Sequence, residues 1–312
     1  MIKIVLAPME GVIDFAMREI LTFGGSYSYG LTEFMRVNDH LHSKSQFIKY
    51  APELLTNGKT QSGTPIYIQL LGQDKNWMAE NAFRAWEMGV LGIDLNFGCP
   101  AKTVNNHGGG AILLKEPSVV HGIVKEVRNA VPSGLPVTVK MRLGYEDKTL
   151  AIENAKAIEE AGATSLAIHA RTKLEGYKPP AHWEWIAKIR KQMTIPIVAN
   201  GDIWSKQDAI NCIKKTTCES IMIGRGALSL PNLANTIATN AKPYDWQETC
   251  LIILQYAEYR RDQGNQNFVP NRIKQWLFYL KRQYLEAGDL FDVVKKLRDL
   301  DAIINIINKN YL

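Results

Sequence analysis

The segment Asn96-Phe97-Gly98-Cys99-Pro100, with Gly108-Gly109-Gly110-Ala111 starting nine residues beyond Cys99, puts a free thiol in a long, pliable loop. A lone cysteine is more often an inert small hydrophobe. A packed wall, however, has no use for so many glycines, and the context favours a thiol that does chemistry. With a reference pKa of about 8.5 it is protonated near neutral pH and can donate a proton. The other cysteines, at 212, 218 and 250, form no C-x-x-C pair and no Cys/His cluster with zinc spacing, so no metal is expected.

Other chemistry-bearing residues sit where apolar runs end. Lys140 follows Val, Thr and Val in a run that continues with Met141. A lone ammonium there is costly without an anionic partner unless its amine reaches water. Asn200-Gly201-Asp202 and Gly224-Arg225-Gly226 suit an anion, because glycine lets the backbone approach a phosphate and Arg225 adds a charged donor. Tight strand-to-helix turns are the plainer use of those glycines. Gln69 and His169 add hydrogen-bonding capacity, weak evidence singly. No G-x-G-x-x-G or G-x-x-x-x-G-K-[ST] pattern is present, and no Ser/His/Asp order or carboxylate pair points to hydrolysis.

These residues need a frame that brings run ends together. Eight short aliphatic runs recur, at 2–9, 27–34, 65–72, 91–98, 135–142, 164–171, 195–202 and 219–226. They lack polar alternation, as befits parallel strands buried on both faces. Amphipathic stretches lie between them, for instance 77–89, 117–131 and 149–162. Eight right-handed strand–helix units close into a (β/α)8 TIM barrel, whose active site lies at the C-terminal strand ends. There the sequence places Ala7-Pro8-Met9, Gln69, Asn96 to Pro100, Lys140 to Arg142, His169-Ala170-Arg171, Asn200 to Asp202 and Gly224 to Gly226.

After about residue 240 the alternation stops and three helical segments are expected, at 246–264, 271–285 and 289–308, punctuated by Gly264 and by Ala-Gly-Asp at 287–289. The predicted division is a barrel domain over 1–240 and a small all-helical domain over 241–312. The chain has 312 residues, 46% of them hydrophobic and 22% charged, enough to bury a large core. Its formal charge of +6 favours polyanionic partners. The N-terminal IKIVLAPM has no secretory signal pattern, and no apolar run reaches the roughly 20 residues of a membrane span. A cytoplasmic enzyme, monomeric and without a membrane or protein partner, is expected.

Taken together, APMEGV, IDLNFGCPAKTVNNHGGGAILL, VKMRLG, IHART, IVANGDI and MIGRGAL resemble the tRNA-dihydrouridine synthase family over essentially the whole chain. That resemblance implies bound FMN, reduced by NADPH, which passes a hydride to C6 of a flipped-out uracil while Cys99 protonates C5. It implies that Ala7, Pro8 and Met9 pack on the flavin, that Gln69 and Lys140 contact its ring, and that Asn200, Gly201, Asp202, Gly224 and Arg225 hold ribityl and phosphate. His169 resembles a further cofactor contact, and Asn96 and Arg142 resemble substrate contacts. Phe97, where relatives usually carry a smaller residue, is expected to narrow the pocket beside Cys99.

The C-terminal segment fits an RNA substrate. In 271–285 the residues Ile273, Trp276, Leu277, Leu280 and Tyr284 keep helical spacing as a core face. That leaves Arg272, Lys274, Lys281 and Arg282 outside with Phe278 and Tyr279, a pattern suited to phosphate contact and base stacking. A solvated helix face is the alternative. Arg272, Lys274 and Tyr279, with Arg36, resemble the tRNA-binding set of the class specific for position 16 of the D-loop. Two rivals share some of these features: a free-pyrimidine flavin dehydrogenase of the dihydroorotate type, and a tRNA-binding protein whose barrel has lost its redox function.

Overall fold

The computed structural model describes residues 2–261 and 267–312. Nine strands form one sheet, all of whose pairings are parallel: β1 Lys3–Leu6, β2 Tyr29–Leu31, β3 Met35–Arg36, β4 Ile66–Leu71, β5 Ile93–Phe97, β6 Val137–Arg142, β7 Ser165–His169, β8 Ile197–Asn200 and β9 Ser220–Ile223. The sheet closes because β1 pairs with both β9 and β2, and β2 pairs with β4. The eight expected strand positions are all occupied. The run expected at 27–34 holds only the three-residue β2, and β3 follows just beyond it, with β2 pairing the start of β4 and β3 its end. Between the two pieces the Thr32 hydroxyl accepts from Gln69 N–H at 3.0 Å, in place of the ladder carbonyl.

Around the barrel run α1 Phe15–Thr22, α2 Lys44–Tyr50, α3 Lys75–Glu87, α4 Lys102–Asn105, α5 Pro117–Ala130, α6 Ala151–Glu160, α7 Trp183–Arg190, α8 Lys206–Thr216, α9 Arg225–Ser229 and α10 Leu233–Thr239. Short polar residues start several of them: Asp14, Asp74 and Ser205 accept from backbone N–H groups in the first turns of α1, α3 and α8. No helix among the described residues is long and apolar enough to cross a membrane.

Side chains alternate across a strand with period two, so each strand serves two cores. On β5, Ile93, Leu95 and Phe97 belong to the large cluster shared with the helices, whereas Asp94 and Asn96 point into the barrel. Phe97 is 1% exposed in that outer layer and does not line the pocket beside Cys99, which corrects the expectation from sequence. Inside the barrel, Val5, Ala7, Leu31, Ala167, Val198 and Met222 form a small separate cluster against Tyr29 and Tyr67, whose rings stack at 4.5 Å.

Beyond the barrel the described residues form four helices rather than three: α11 Trp246–Arg260, α12 Phe268–Leu280, α13 Leu285–Val294 and α14 Leu300–Tyr311. The segment expected as one helix over 289–308 breaks before Asp299, whose carboxylate caps α14 through the N–H groups of Asp301 and Ala302. The expected helix over 246–264 runs to Arg260, and its last three residues, Gly264 included, fall outside the described residues.

Two buried contacts seat these helices on the barrel. Trp276 Nε1 of α12 donates to the Leu228 carbonyl of α9 at 3.0 Å. Asp14, the cap of α1, also accepts from Tyr256 Oη at 3.2 Å and Arg260 Nη2 at 3.0 Å, both on α11. One carboxylate therefore completes a helix cap and a buried ion pair. Asp14→Ala is expected to lower unfolding free energy by about 2–4 kcal/mol in urea denaturation. A loss under about 0.5 kcal/mol, the range of ordinary surface changes, would show that the contact is not a seat.

Candidate active site

The C-terminal strand ends open on a cavity of about 550 Å³. It is lined by Ala7, Pro8 and Met9 after β1, Gln69 of β4, Asn96 of β5 and Cys99 just beyond it, Lys140 and Arg142 of β6, and His169 of β7. Asn200, Gly201 and Asp202 at the end of β8, Gly224 and Arg225 after β9, and Tyr279 of α12 complete the wall. The fold thus collects every sequence-predicted cofactor residue in one place. Arg36, Arg272 and Lys274 stand outside it, Arg36 lining a second cavity with Asp39, Asp74 and His107.

Cys99 is held by its backbone on both sides. Its N–H and that of Gly98 donate to Asn96 Oδ1 at 3.0 and 2.9 Å. Its carbonyl accepts from Asn105 Nδ2 at 2.9 Å and Ala111 N at 3.2 Å. Gly110, at φ +70°, closes the loop where a Cβ would lie 2.8 Å from that carbonyl oxygen. Cys99 is 9% exposed, and burial raises its pKa, opposed by the Ala101 N–H, Arg142 and Lys140 and helped by Glu10. It is a protonated acid in the neutral range.

Positive charge dominates the wall. Lys140 is partly buried, and burial together with Arg142 lowers its pKa to about 8, while Asp94 and Cys99 act on it through space in the opposite sense. His169 is held well below the usual imidazole range by burial and by Arg142, Lys140, Arg171 and Arg225, so it is neutral. Arg225 lies 4.7 Å from the Tyr177 ring and 4.9 Å from the Trp204 ring, which Arg282 also approaches at 3.9 Å.

Several side chains turn out to be engaged within the protein. Asp202 has its carboxylate committed to buried Arg171, to Ala181 N–H at 3.0 Å and to Arg225 at 3.4 Å. A phosphate would be repelled by that carboxylate, so what residue 202 can offer an anion is backbone, held at φ +51° beside Gly201 at φ +128°. Arg142 donates Nε to the Gly98 carbonyl at 2.8 Å and Nη1 to those of Thr172 and Gly176 at 2.9 Å each, clamping the Cys99 loop from below. Arg272 and Lys274, expected on the open face, reach backbone oxygens instead: Arg272 that of Gly11, Lys274 that of Leu297 at 3.0 Å. Both are half-buried because their long stems pack along the helix surface while the heads find carbonyls. Phe278 is 58% exposed at the cavity mouth with Lys281 over its ring at 4.0 Å, as the sequence pattern suggested.

Sequence reasoning missed Asp94, Tyr177 and Trp204 and gave Arg171 no role. Asp94 had a signal, since it stands two residues before Asn96 on a strand and must share its face. Tyr177 and Trp204 lie in loops after β7 and β8 with no local pattern to mark them.

A family model described as dihydrouridine synthase (Dus) matches residues 5–305. The chain belongs to that family. A tRNA-dihydrouridine(16) synthase of Shewanella oneidensis is 52% identical over 98% of this chain and 98% of its own. Another of the same name from Neisseria meningitidis serogroup B is 48% identical over 98% of this chain and 93% of its own. Among solved structures, an old yellow enzyme homologue from Zymomonas mobilis superposes with a TM-score of 0.56 at 14% identity, covering 78% of this chain and 90% of that one. Histamine dehydrogenase from Rhizobium sp. 4-9 does so with a TM-score of 0.58 at 15% identity, over 82% and 48%. At such identities the likeness concerns the barrel alone.

The electrostatics of Cys99 can be measured directly. Cys212, Cys218 and Cys250 are at most 2% exposed, so iodoacetamide should label Cys99 first. Its rate at pH 7.5 is expected to fall below that of free cysteine and to keep rising beyond pH 9, because the thiolate is the nucleophile. Rapid labelling that levels off below pH 8 would mean an activated thiolate rather than an acid.

Proposed function

We propose that this chain reduces uridine to 5,6-dihydrouridine at position 16 of the tRNA D-loop, with FMN held in the barrel cavity and NADPH as the reductant. The observation that carries this reading is a thiol kept protonated at the mouth of a cavity rich in cations. The two relatives described above, both named for position 16, support the choice of uridine.

The residues present fit FMN. Lys140 faces the cavity with no hydrogen bond to a protein acceptor among the described residues, so an anionic ring edge would supply the partner it lacks. Arg225 and the backbone of Gly201, Asp202 and Gly224 would take the phosphate end, and neutral His169 can donate or accept one hydrogen bond. Ala7, Pro8 and Met9 would pack against the ring, with Gln69 and Asn200 at its polar edge. When bound, the flavin supplies a hydride to C6 of the uracil and is recharged by NADPH. Cys99 then delivers its proton to C5. The thiolate left behind is stabilised by the Ala101 N–H, Arg142 and Lys140. Asn96 has one Nδ2 hydrogen beyond the one given to Gln69, and is a candidate contact to the base.

We assign catalysis to residues 1–240 and tRNA binding chiefly to 241–312. Phe278, Lys281 and Arg282 are its exposed side chains near the cavity mouth. Tyr279 lines the mouth itself, Arg36 would add a cation from the second cavity, and Arg272 and Lys274 retain N–H donors beyond those that bind the backbone. Cations that grip particular phosphates fix how the RNA sits and hence which uridine is presented.

Two experiments test the reading. Cys99→Ala should still oxidise NADPH while dihydrouridine formation falls by about 10²–10⁴, the usual contribution of a positioned acid. A variant that modifies tRNA at the wild-type rate removes Cys99 from the mechanism. Lys281→Ala/Arg282→Ala should bind tRNA more weakly, with a log–log salt slope reduced by about 1–2, while flavin reduction is unchanged. An unaltered slope takes these cations out of the interface.

A further inference from the structure

Asn96 can hold the Gly98 and Cys99 N–H groups only with its carbonyl oxygen, so the orientation of its amide decides whether those two N–H groups are held. An amide by itself has no preference between its two ends. Here the orientation is passed along a chain of buried side chains from three neighbouring strands. Asn96 Nδ2 donates to Gln69 Oε1 at 2.8 Å, and Gln69 Nε2 donates to Asp94 Oδ2 at 2.7 Å. Asp94 Oδ1 accepts from the Thr138 hydroxyl at 2.6 Å. Every link depends on the one before it. A carboxylate is acceptor-only, so it must meet the NH2 end of Gln69. The oxygen of Gln69 then faces Asn96 and demands its NH2, leaving the Asn96 oxygen for the loop.

We propose that Asp94 is a positioning residue for Cys99: its carboxylate sets the direction of the Gln69 and Asn96 amides and thereby the two N–H contacts that hold the Cys99 loop. This rests on the reading of Cys99 as the proton donor. Asp94 neither lines the cavity nor touches the thiol; apart from its through-space effect on Lys140, its hold on the Cys99 loop runs through the two amides.

The carboxylate is retained at a cost. Burial raises the Asp94 pKa to about 6, against the lowering effects of Thr138, Gln69 and Lys140. For an acid whose folded pKa lies above its unfolded value of 3.8, the folded state favours the proton. Stability is therefore lost as pH rises through the window between about 4 and 6, and at neutral pH the ionised group is a burden on the fold. A residue serving the fold alone would have the opposite sign. The charged or titratable groups around it are Lys140 on β6 and Tyr29 on β2, and near Cys99 itself Glu10, whose pKa is raised to about 7, with Arg142 and Lys140.

The test uses the whole protein as purified, labelled with ¹⁵N-cysteine. Four cysteines give four backbone amide signals, and Cys99→Ser identifies the relevant one. Asp94→Leu removes the anchor and should displace the Cys99 amide signal toward a weaker hydrogen bond, while Tm at pH 7.5 stays level or rises. Dihydrouridine formation should fall on the order of tenfold to a hundredfold, as for a misplaced reacting group. Asp94→Asn/Gln69→Glu moves the carboxylate one link along. Glu at 69 accepts from both amides, every partner is satisfied, and the Cys99 amide signal should return to its wild-type position.

A Cys99 signal unmoved by Asp94→Leu, or one as displaced in Asp94→Asn/Gln69→Glu as in Asp94→Leu, would overturn the proposal. If Asp94→Leu does not fold, a titration of the unsubstituted relay decides. In a Glu10→Gln background the Cys99 amide signal should move with a midpoint near pH 6, and a flat response from pH 7.5 to 5 refutes the relay. The amide signals need neither tRNA nor turnover. A relay that behaves as described in a protein making no dihydrouridine would defeat the functional reading and leave the relay standing.

Discussion

A closed parallel barrel gives every second side chain on each strand no way out except upward, and the rest of this structure follows from that confinement. Polar groups placed on the inner face must find partners among one another or pay for desolvation. Asp94, Gln69, Asn96 and Thr138 are such a set, from three adjacent strands in register. They satisfy one another by direction: hydroxyl and amide into carboxylate, amide into amide, and loop N–H into amide oxygen. The floor of the cavity is thus a directed hydrogen-bond chain rather than a passive packing layer.

Confinement also explains the charge of the wall. Arg171 is buried and paired with Asp202, Arg142 is occupied by backbone carbonyls, and His169 is kept neutral by burial and by four surrounding cations. What remains available is one ammonium, one guanidinium and a turn of glycine backbone. Each suits a different part of a flat anionic cofactor with a phosphate tail. The protein thereby separates cations that build the site from cations that greet a ligand, although both kinds lie within the same few strand ends.

Much of this was legible in the sequence, because strand alternation and barrel topology are local rules with global consequences. Eight apolar runs gave eight barrel positions, and the residues at their ends converge as the topology requires. The misreadings share a cause. Phe97 was judged by its neighbour Cys99 rather than by strand parity, which sends it outward with Leu95. Arg272 and Lys274 were judged by helical spacing, which marks the core face but cannot say where a long flexible stem will carry its charge. The break before Asp299 was hidden because apolar spacing continues through it, and only the capping side chain marks it. Tyr177 and Trp204 arrive from loops whose course no periodicity encodes.

Trp204 carries a different consequence. Its ring is approached by Arg225, which faces the cavity, and by Arg282, which belongs to the helical end of the chain. An indole in contact with two cations emits according to the field around it. Filling of the cavity and docking at the mouth would each alter that field, from different sides of the chain's fold. Trp204, one of seven tryptophans in the chain, thus stands between the cavity and the helical end, where its emission would respond to occupation from either side.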